Sequence, residues 1–339
     1  MTGFPRFTHL LSISDEIGVF EHCAGREPRR EHGYCVDDVS RALLVLARQP
    51  DADAGQQTLA DICLAFLRDA QAEDGLVRNR RNVNAEWTTG PSSADHWGRA
   101  LWGLGSAAAR SNRPSLSAAA RSAFENSARV RSPYMRAMAF AGLGAAEVLS
   151  VDSTDRQARS LLRDAVLRIG LVGDEPWPWP ESRLRYANGA IPEVLILGGY
   201  YLDDDFLLRE GLRLLKWLLA LECPGGFFSV APSCGWDPSE DRPGFDQQPI
   251  EVAALVDAAA TAFMVTGERE WWRYVERGAA WFAGANDVAM PMVDARAGAG
   301  YDGLRPGGRN ENCGAESTLA YLSVAQQLLA SPAIAGASA

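Results

Sequence analysis

The chain has 339 residues, 47% of them apolar, and a formal charge of −10 from 33 cationic and 43 acidic side chains. That size and apolar content suit a globular chain with a real core and exclude a disordered one. The acid excess argues against a nucleic-acid or anionic-membrane surface, since both need clustered cations. Lys216 is the only lysine, which makes Schiff-base chemistry a poor fit, and ten tryptophans are a surplus for this length.

Taken in order, Met1 to His9 lacks the basic and apolar stretches of a signal peptide. No apolar run approaches the roughly 18 residues that span a bilayer. The six cysteines lie without CxxC spacing, so reduced thiols in a cytoplasmic protein are expected. Phe7 to Val19 reads as a first helix. Helical apolar spacing then recurs at Leu43–Leu46, Leu59–Leu67, Ala137–Leu149, Leu161–Leu171, Leu207–Leu221, Val252–Val265 and Leu319–Leu329. Leu76–Trp87 and Phe227–Trp236 read as β-hairpin-like loops, and Ser331–Ala339 as a small-residue, disordered tail. No linker divides residues 1–330, so one domain is expected.

A weak repeat organises these elements. Six helices start from polar, aromatic-bearing segments marked by Asp38, Asp95, Arg136, Glu193, Glu251 and Glu316, at steps of 57, 41, 57, 58 and 65 residues. Each step has room for the rest of that helix, a turn, a second helix and a loop. Twelve helices in six hairpins is the count of an all-α (α/α)6 toroid, whose inner helices begin around a central cleft. A helical bundle or α-solenoid is the alternative, but a solenoid repeats apolar consensus positions rather than polar helix starts.

Acids at helix starts are often simple caps. Capping does not explain their company: His32, Tyr34, His96, Trp97, Tyr186, Asn188, Gln247 and Gln248. Aromatic faces, amides, acids and arginines together suit a sugar. The proline-bracketed Trp177 and Trp179, with Trp236, are the expected stacking platform. The expected sugar contacts are completed by Arg41, Trp87, Asp95, Glu181, Glu193, Asp246, Arg309, Asn310, Asn312 and Glu316. No CxxC, HExxH, P-loop, GxGxxG or GxSxG is present, so neither metal nor cofactor is expected.

The segment Arg30-Glu31-His32-Gly33-Tyr34-Cys35-Val36-Asp37-Asp38-Val39-Ser40-Arg41-Ala42-Leu43 resembles the "HGYC-x-DD-x-x-RAL" stretch of a bacterial family of (α/α)6-barrel proteins found beside or fused to glycosyltransferases. Trp179-Pro180-Glu181 with Leu184 to Gly189 and Pro192-Glu193, Asp246 to Glu251, and Asn312 to Leu319 resemble the same family. Ala187 departs from it where Asp is common, as do Val39-Ser40 where Asn-Ala is common. One branch of that family is a mycobacterial methylmannose polysaccharide hydrolase, an endo-acting α-1,4-mannosidase. The resemblance implies a carbohydrate substrate and a functional association with a glycosyltransferase; the oligomeric state stays open.

Glycoside hydrolysis needs two carboxyls across the scissile bond. The expected pair is Asp37 as base and Glu251 as acid, because Pro249 and Ile250 give Glu251 a partly apolar setting that raises its pKa. Asp38 is a cap or a second candidate. Inversion is expected by analogy with other (α/α)6 hydrolases. The alternatives are a sugar epimerase or isomerase, which wants a histidine pair such as His32 and His96, and a non-catalytic carbohydrate-binding partner of a glycosyltransferase.

Overall fold

A computed structural model describes residues 5–170, 173 and 176–330. The expected disordered tail, Ser331–Ala339, lies outside the described residues. Twelve α-helices carry the fold: α1 (Thr8–Ser12), α2 (Val36–Ala47), α3 (Ala54–Ala70), α4 (Asp95–Arg110), α5 (Pro114–Ser127), α6 (Met135–Val151), α7 (Arg156–Ile169), α8 (Ala190–Leu202), α9 (Asp205–Glu222), α10 (Pro249–Thr266), α11 (Arg269–Phe282) and α12 (Ala315–Leu329). The even-numbered helices pack in a closed ring: α2 on α4, then α6, α8, α10 and α12, which returns to α2. The odd-numbered helices form the outer layer, each packed on its hairpin partner, with α1 against α12. This is the (α/α)6 toroid, and all six marker residues fall in the first turns of the inner ring.

Burial explains the two helix classes. An inner helix meets neighbours on both sides, an outer helix behind it and the barrel axis in front. It is therefore apolar nearly all round, as in α6, which is buried from Arg136 to Leu149. An outer helix keeps one face in water, so α11 alternates buried Trp271, Trp272, Val275 and Trp281 with exposed charges. Contrary to the expectation that no apolar run reaches bilayer length, α10 is long and apolar enough to cross a membrane by length and composition. Here it is an inner-ring helix packed on α8, α11 and α12.

α4 and α6 touch backbone to backbone. A Cβ added at Gly105 would stand 2.3 Å from the Gly144 carbonyl oxygen, and one at Gly98 2.1 Å from that of Ala137. Gly105→Val is therefore expected to destabilise by about 3 kcal/mol, at the upper end of overpacking costs, lowering the urea midpoint with an unchanged slope. A wild-type midpoint would show that the ring is looser than described.

Two sequence expectations need correction. The helix expected over Phe7–Val19 stops at Ser12, because the Asp15 carboxylate accepts from the backbone of Ile17 (2.9 Å) and Gly18 (3.2 Å) and turns the chain out of the helix. Phe227–Trp236 forms no hairpin of its own: Pro232 bridges to Gln247 and Trp236 to Leu184. Leu76–Trp87 does fold back, with β4 (Arg80–Arg81) paired to β3 (Tyr34–Cys35) and Arg81 bridged to Trp87. Besides β1 (Cys23–Ala24) with β2 (Glu27–Pro28) and β5 (Val293–Asp294) with β6 (Ala299–Gly300), a hairpin joins β7 (Gly303–Arg305) to β8 (Gly308–Asn310). Its Pro306-Gly307 turn, with Gly307 at φ 69°, was not foreseen.

Candidate active site

The outer helices α3, α7 and α9 are capped by Asp53, Asp155 and Asp204, whose side chains accept from backbone N–H groups. No inner helix has a side-chain cap at its N-terminus. The acids at the inner starts are therefore not caps, and Asp38 loses that alternative. Four of them, Asp37, Asp38, Asp95 and Glu316, line a cleft of about 560 Å³ at the N-terminal rim of the ring.

Six carboxyls line it: Glu21, Asp37, Asp38, Asp95, Asp302 and Glu316, facing two guanidiniums, Arg41 and Arg99. Asp38 accepts from Arg41 Nη1 at 2.6 Å and from Cys35 Sγ at 3.2 Å. Arg41 Nη2 reaches Glu316 at 2.8 Å, so one guanidinium ties the start of α2 to that of α12. Asp37 is more open and lies 3.3 Å from Arg99 Nε. Arg99 in turn covers the Phe140 ring, 4.0 Å from its centroid. The Tyr186 hydroxyl donates to Asp95. Asp302 accepts from Gly314 N at 2.7 Å, and burial raises its pKa. Gln248 and Asn310 complete the expected lining.

Burial lifts Asp38 to about 7 against the partial relief given by Arg41. Glu251 is also pushed up to about 7 by burial, the direction expected from its apolar neighbours. Its position differs from expectation. Glu251 is 3% exposed and does not line the cleft. Its carboxylate accepts from Ala187 N, from Asn188 N (3.3 Å) and from Asn188 Nδ2 (3.0 Å), so it anchors the turn leading into α8.

The same framework absorbs other expected contacts. Buried Arg136 holds Glu181 (2.6 Å), the Tyr186 carbonyl (2.8 Å) and Asn188 Oδ1 (3.0 Å). Neither Glu181 nor Asn188 lines the cleft. Gln247 is fully buried and donates to Gly244 O and Asp287, while Asp246 points to solvent. Asn312 accepts from Gly25 N, and Arg309 packs on Tyr301 with Glu311 as partner. Glu193, in the first turn of α8, lines not this cleft but the cavity at the opposite end of the barrel.

The tryptophan platform is not found here, for no tryptophan lines the cleft. Trp97 and Tyr34 are core residues, Trp97 donating to Ser127 O and Tyr34 to Asp15. His96 is buried on Val77 O. Trp87 packs edge-on against Phe66. Trp177, Trp179 and Trp236 cluster around Trp217 of α9, with Trp177 5.2 Å from Trp217 and 5.6 Å from Trp236. The prolines bracket a packing cluster rather than a presented stack. His32 is exposed and edge-on to His22, their rings 5.0 Å apart, and His22 rather than His32 lines the cleft.

Glu21, His22, Cys35, Arg99, Ser233, Ile250, Asp302, Gly314 and Ser317 line the cleft outside the expected set. Arg99 was within reach of sequence reasoning, one helical turn after Asp95 on an inner helix. Glu21 and Asp302 come from irregular connections whose route no local pattern gives. Glu21, Cys35 and Asp38 place ligand atoms within 4.8 Å of one another. The Cys35 thiol proton already serves Asp38 and Arg80 already holds Glu21, so this set is satisfied as a hydrogen-bonded cluster.

Four buried carboxyls share one sign of shift. Burial raises Asp38 and Glu251 to about 7 and Glu222 to about 8, and burial with Asp257 nearby raises Glu193. Their ordinary values are 3.8 and 4.5, so between those values and about 8 the folded state binds more protons than the unfolded. Stability is thus expected to fall as pH rises through that window. Thermal melts from pH 5 to 8.5 check this, and a midpoint that rises across the range would contradict it.

No family model matches the chain, and no curated protein matches it. Solved structures do. A sugar epimerase from a ruminal bacterium superposes with a TM-score of 0.70 at 12% identity, over 95% of each chain. The fold is that of these enzymes. A D-mannose isomerase gives a TM-score of 0.68 at 11% identity over 96% of this chain and 94% of its own. A GH76 α-mannanase from Bacteroides thetaiotaomicron gives 0.59 at 10% identity over 90% and 88%.

Proposed function

We propose that the chain is a glycoside hydrolase acting on an α-linked mannoside, with the methylated α-1,4-linked polysaccharide implied by the sequence resemblance as its first candidate substrate. One observation carries this reading: six carboxyls and two arginines converge on one cleft, four of the carboxyls (Asp37, Asp38, Asp95 and Glu316) from the uncapped starts of inner helices. The likeness of the fold to an α-mannanase and a mannose isomerase supports a carbohydrate ligand.

Asp37, open in the cleft and oriented by Arg99, is the base that activates water. Asp38 takes the acid role first expected of Glu251. Of the two carboxyls lifted to about 7 it is the one that lines the cleft, and it is largely protonated below that pH. Glu251 positions the Ala187–Asn188 turn that carries Tyr186 to the rim. Asp95, Tyr186, Gln248, Asn310 and Glu316 bond sugar hydroxyls. Inversion requires roughly 6.5–9.5 Å between the two carboxyls in the sugar complex, and retention about 5–5.5 Å.

A second reading, epimerisation, draws on the His22–His32 pair beside the cleft and on the epimerases that share the fold. Incubation with manno- and gluco-oligosaccharides separates the two by chromatography. Shorter chains with new reducing ends support hydrolysis. An epimer of unchanged length, or no product, overturns it.

A further inference from the structure

All six inner helices end around a second cavity of about 350 Å³ at the far rim of the barrel, with Arg48, Arg110, Ser150, Tyr201, Met264 and Gln327 standing at those ends. Helix C-termini carry partial negative charge, so this end of the ring favours a cation. The charged groups on the wall are nearly matched among themselves. Arg48 Nη1 meets Asp257 at 3.0 Å, and Arg110 Nε meets Glu147 at 2.7 Å. Glu193 is left over. It is 5% exposed, its Oε1 accepts from Thr261 at 2.9 Å, and its Oε2 is buried with no partner among the described residues. A buried carboxyl oxygen without a partner is costly, and a ligand that supplies the missing donor removes that cost. Trp102, Tyr201, Phe263 and Trp272 form the apolar part of the wall. The volume lies at the lower end of the range for small-molecule sites.

We propose that this cavity binds a small organic monocation, an ammonium or guanidinium on a short alkyl stem. Glu193 Oε2 is its acceptor and the aromatic wall its cation–π partner. The site is separate from the N-terminal cleft, whose lining shares none of these residues. An anion would meet six helix C-termini and an unmatched acid. A neutral polyol would leave the aromatic wall and the helix-end charge unused.

Binding carries a proton signature. Glu193 faces Asp257 and Thr261 from α10, Arg48 after α2, Arg110 from α4, Glu147 from α6, Gln327 from α12 and Tyr201 on its own helix. Burial keeps the vacant carboxyl protonated at neutral pH, and an incoming cation draws it to the carboxylate. Affinity therefore rises with pH, and a proton is released.

Calorimetric titration of the full chain with n-butylammonium tests this, with 1-butanol as the neutral control. Expected are saturable binding to one site, several-fold tighter at pH 8.5 than at pH 6.5, buffer-dependent heats that report proton release, and no binding of butanol. Glu193→Gln should weaken binding by about tenfold or more and abolish the pH dependence, in line with the loss of a charged hydrogen bond. Met264→Arg, at a 59% exposed position on the mouth, places a fixed cation there without disturbing the core and should weaken binding alike. It decides the matter if Glu193→Gln fails to fold. No saturable heat from the wild type, equal binding of butanol, or a folded Glu193→Gln or Met264→Arg protein that binds as the wild type does would each overturn the proposal.

Discussion

Asp37→Asn is expected to abolish hydrolysis, with a loss of at least about 10³-fold in kcat and a wild-type melting temperature. Asp37 sits in the first turn of α2, partly open to the cleft, and its one described partner is Arg99 at 3.3 Å. Asparagine keeps the shape and an oxygen for Arg99 but cannot take a proton from water. Asp38→Asn should cost about 10²–10⁴-fold on a natural mannoside. The two differ on an aryl mannoside with a good leaving group, which needs no protonation: Asp38→Asn should then recover activity and Asp37→Asn should not. If both variants keep near-wild-type rates, the chemistry lies elsewhere in the cleft.

The architecture was legible because the ring imposes it on the sequence. An inner helix start must face the cleft, so polar residues return once per hairpin, and the markers from Asp38 to Glu316 fell on α2, α4, α6, α8, α10 and α12. The end of the short α1 leaves no periodic signal in the sequence, because its limit is set by one side chain, Asp15, turning back on the chain.

The cleft was legible only in part, for a geometric reason. A residue type at a helix start tells which rim it belongs to, but not which way the side chain turns within that first turn. Asp37, Asp38, Asp95 and Glu316 turn inward, Glu251 turns to the neighbouring turn at Ala187–Asn188, and Glu193 turns to the far end of the barrel. The tryptophans misled for a related reason. An indole suits a sugar face and a packed core equally well, and the Pro-Trp-Pro-Trp-Pro loop folds its rings onto Trp217 of α9. Glu21 and Asp302 had no local signature, since strand-poor connections carry them to the cleft from outside the repeat.

Glu251→Gln separates an anchor from an acid. The wild-type carboxylate accepts from Ala187 N, Asn188 N and Asn188 Nδ2. Glutamine offers one oxygen and turns an NH2 group toward these donors, leaving at least one N–H without an acceptor. The expected cost is about 1–3 kcal/mol of stability. The sign of its pH dependence follows from the raised pKa. The wild type loses stability as pH rises from about 4.5 to about 7, whereas the variant has nothing to ionise, so its deficit should shrink from pH 5 to pH 8. In the folded variant the turn carrying Tyr186 loosens, and with it the hydroxyl that donates to Asp95. KM should therefore rise while kcat stays within about tenfold of wild type, and an activated leaving group should bring no recovery. A loss of about 10²–10⁴-fold in kcat that an activated aryl mannoside restores would instead make Glu251 the acid, with Asp38 its neighbour in the ion-paired cluster around Arg41.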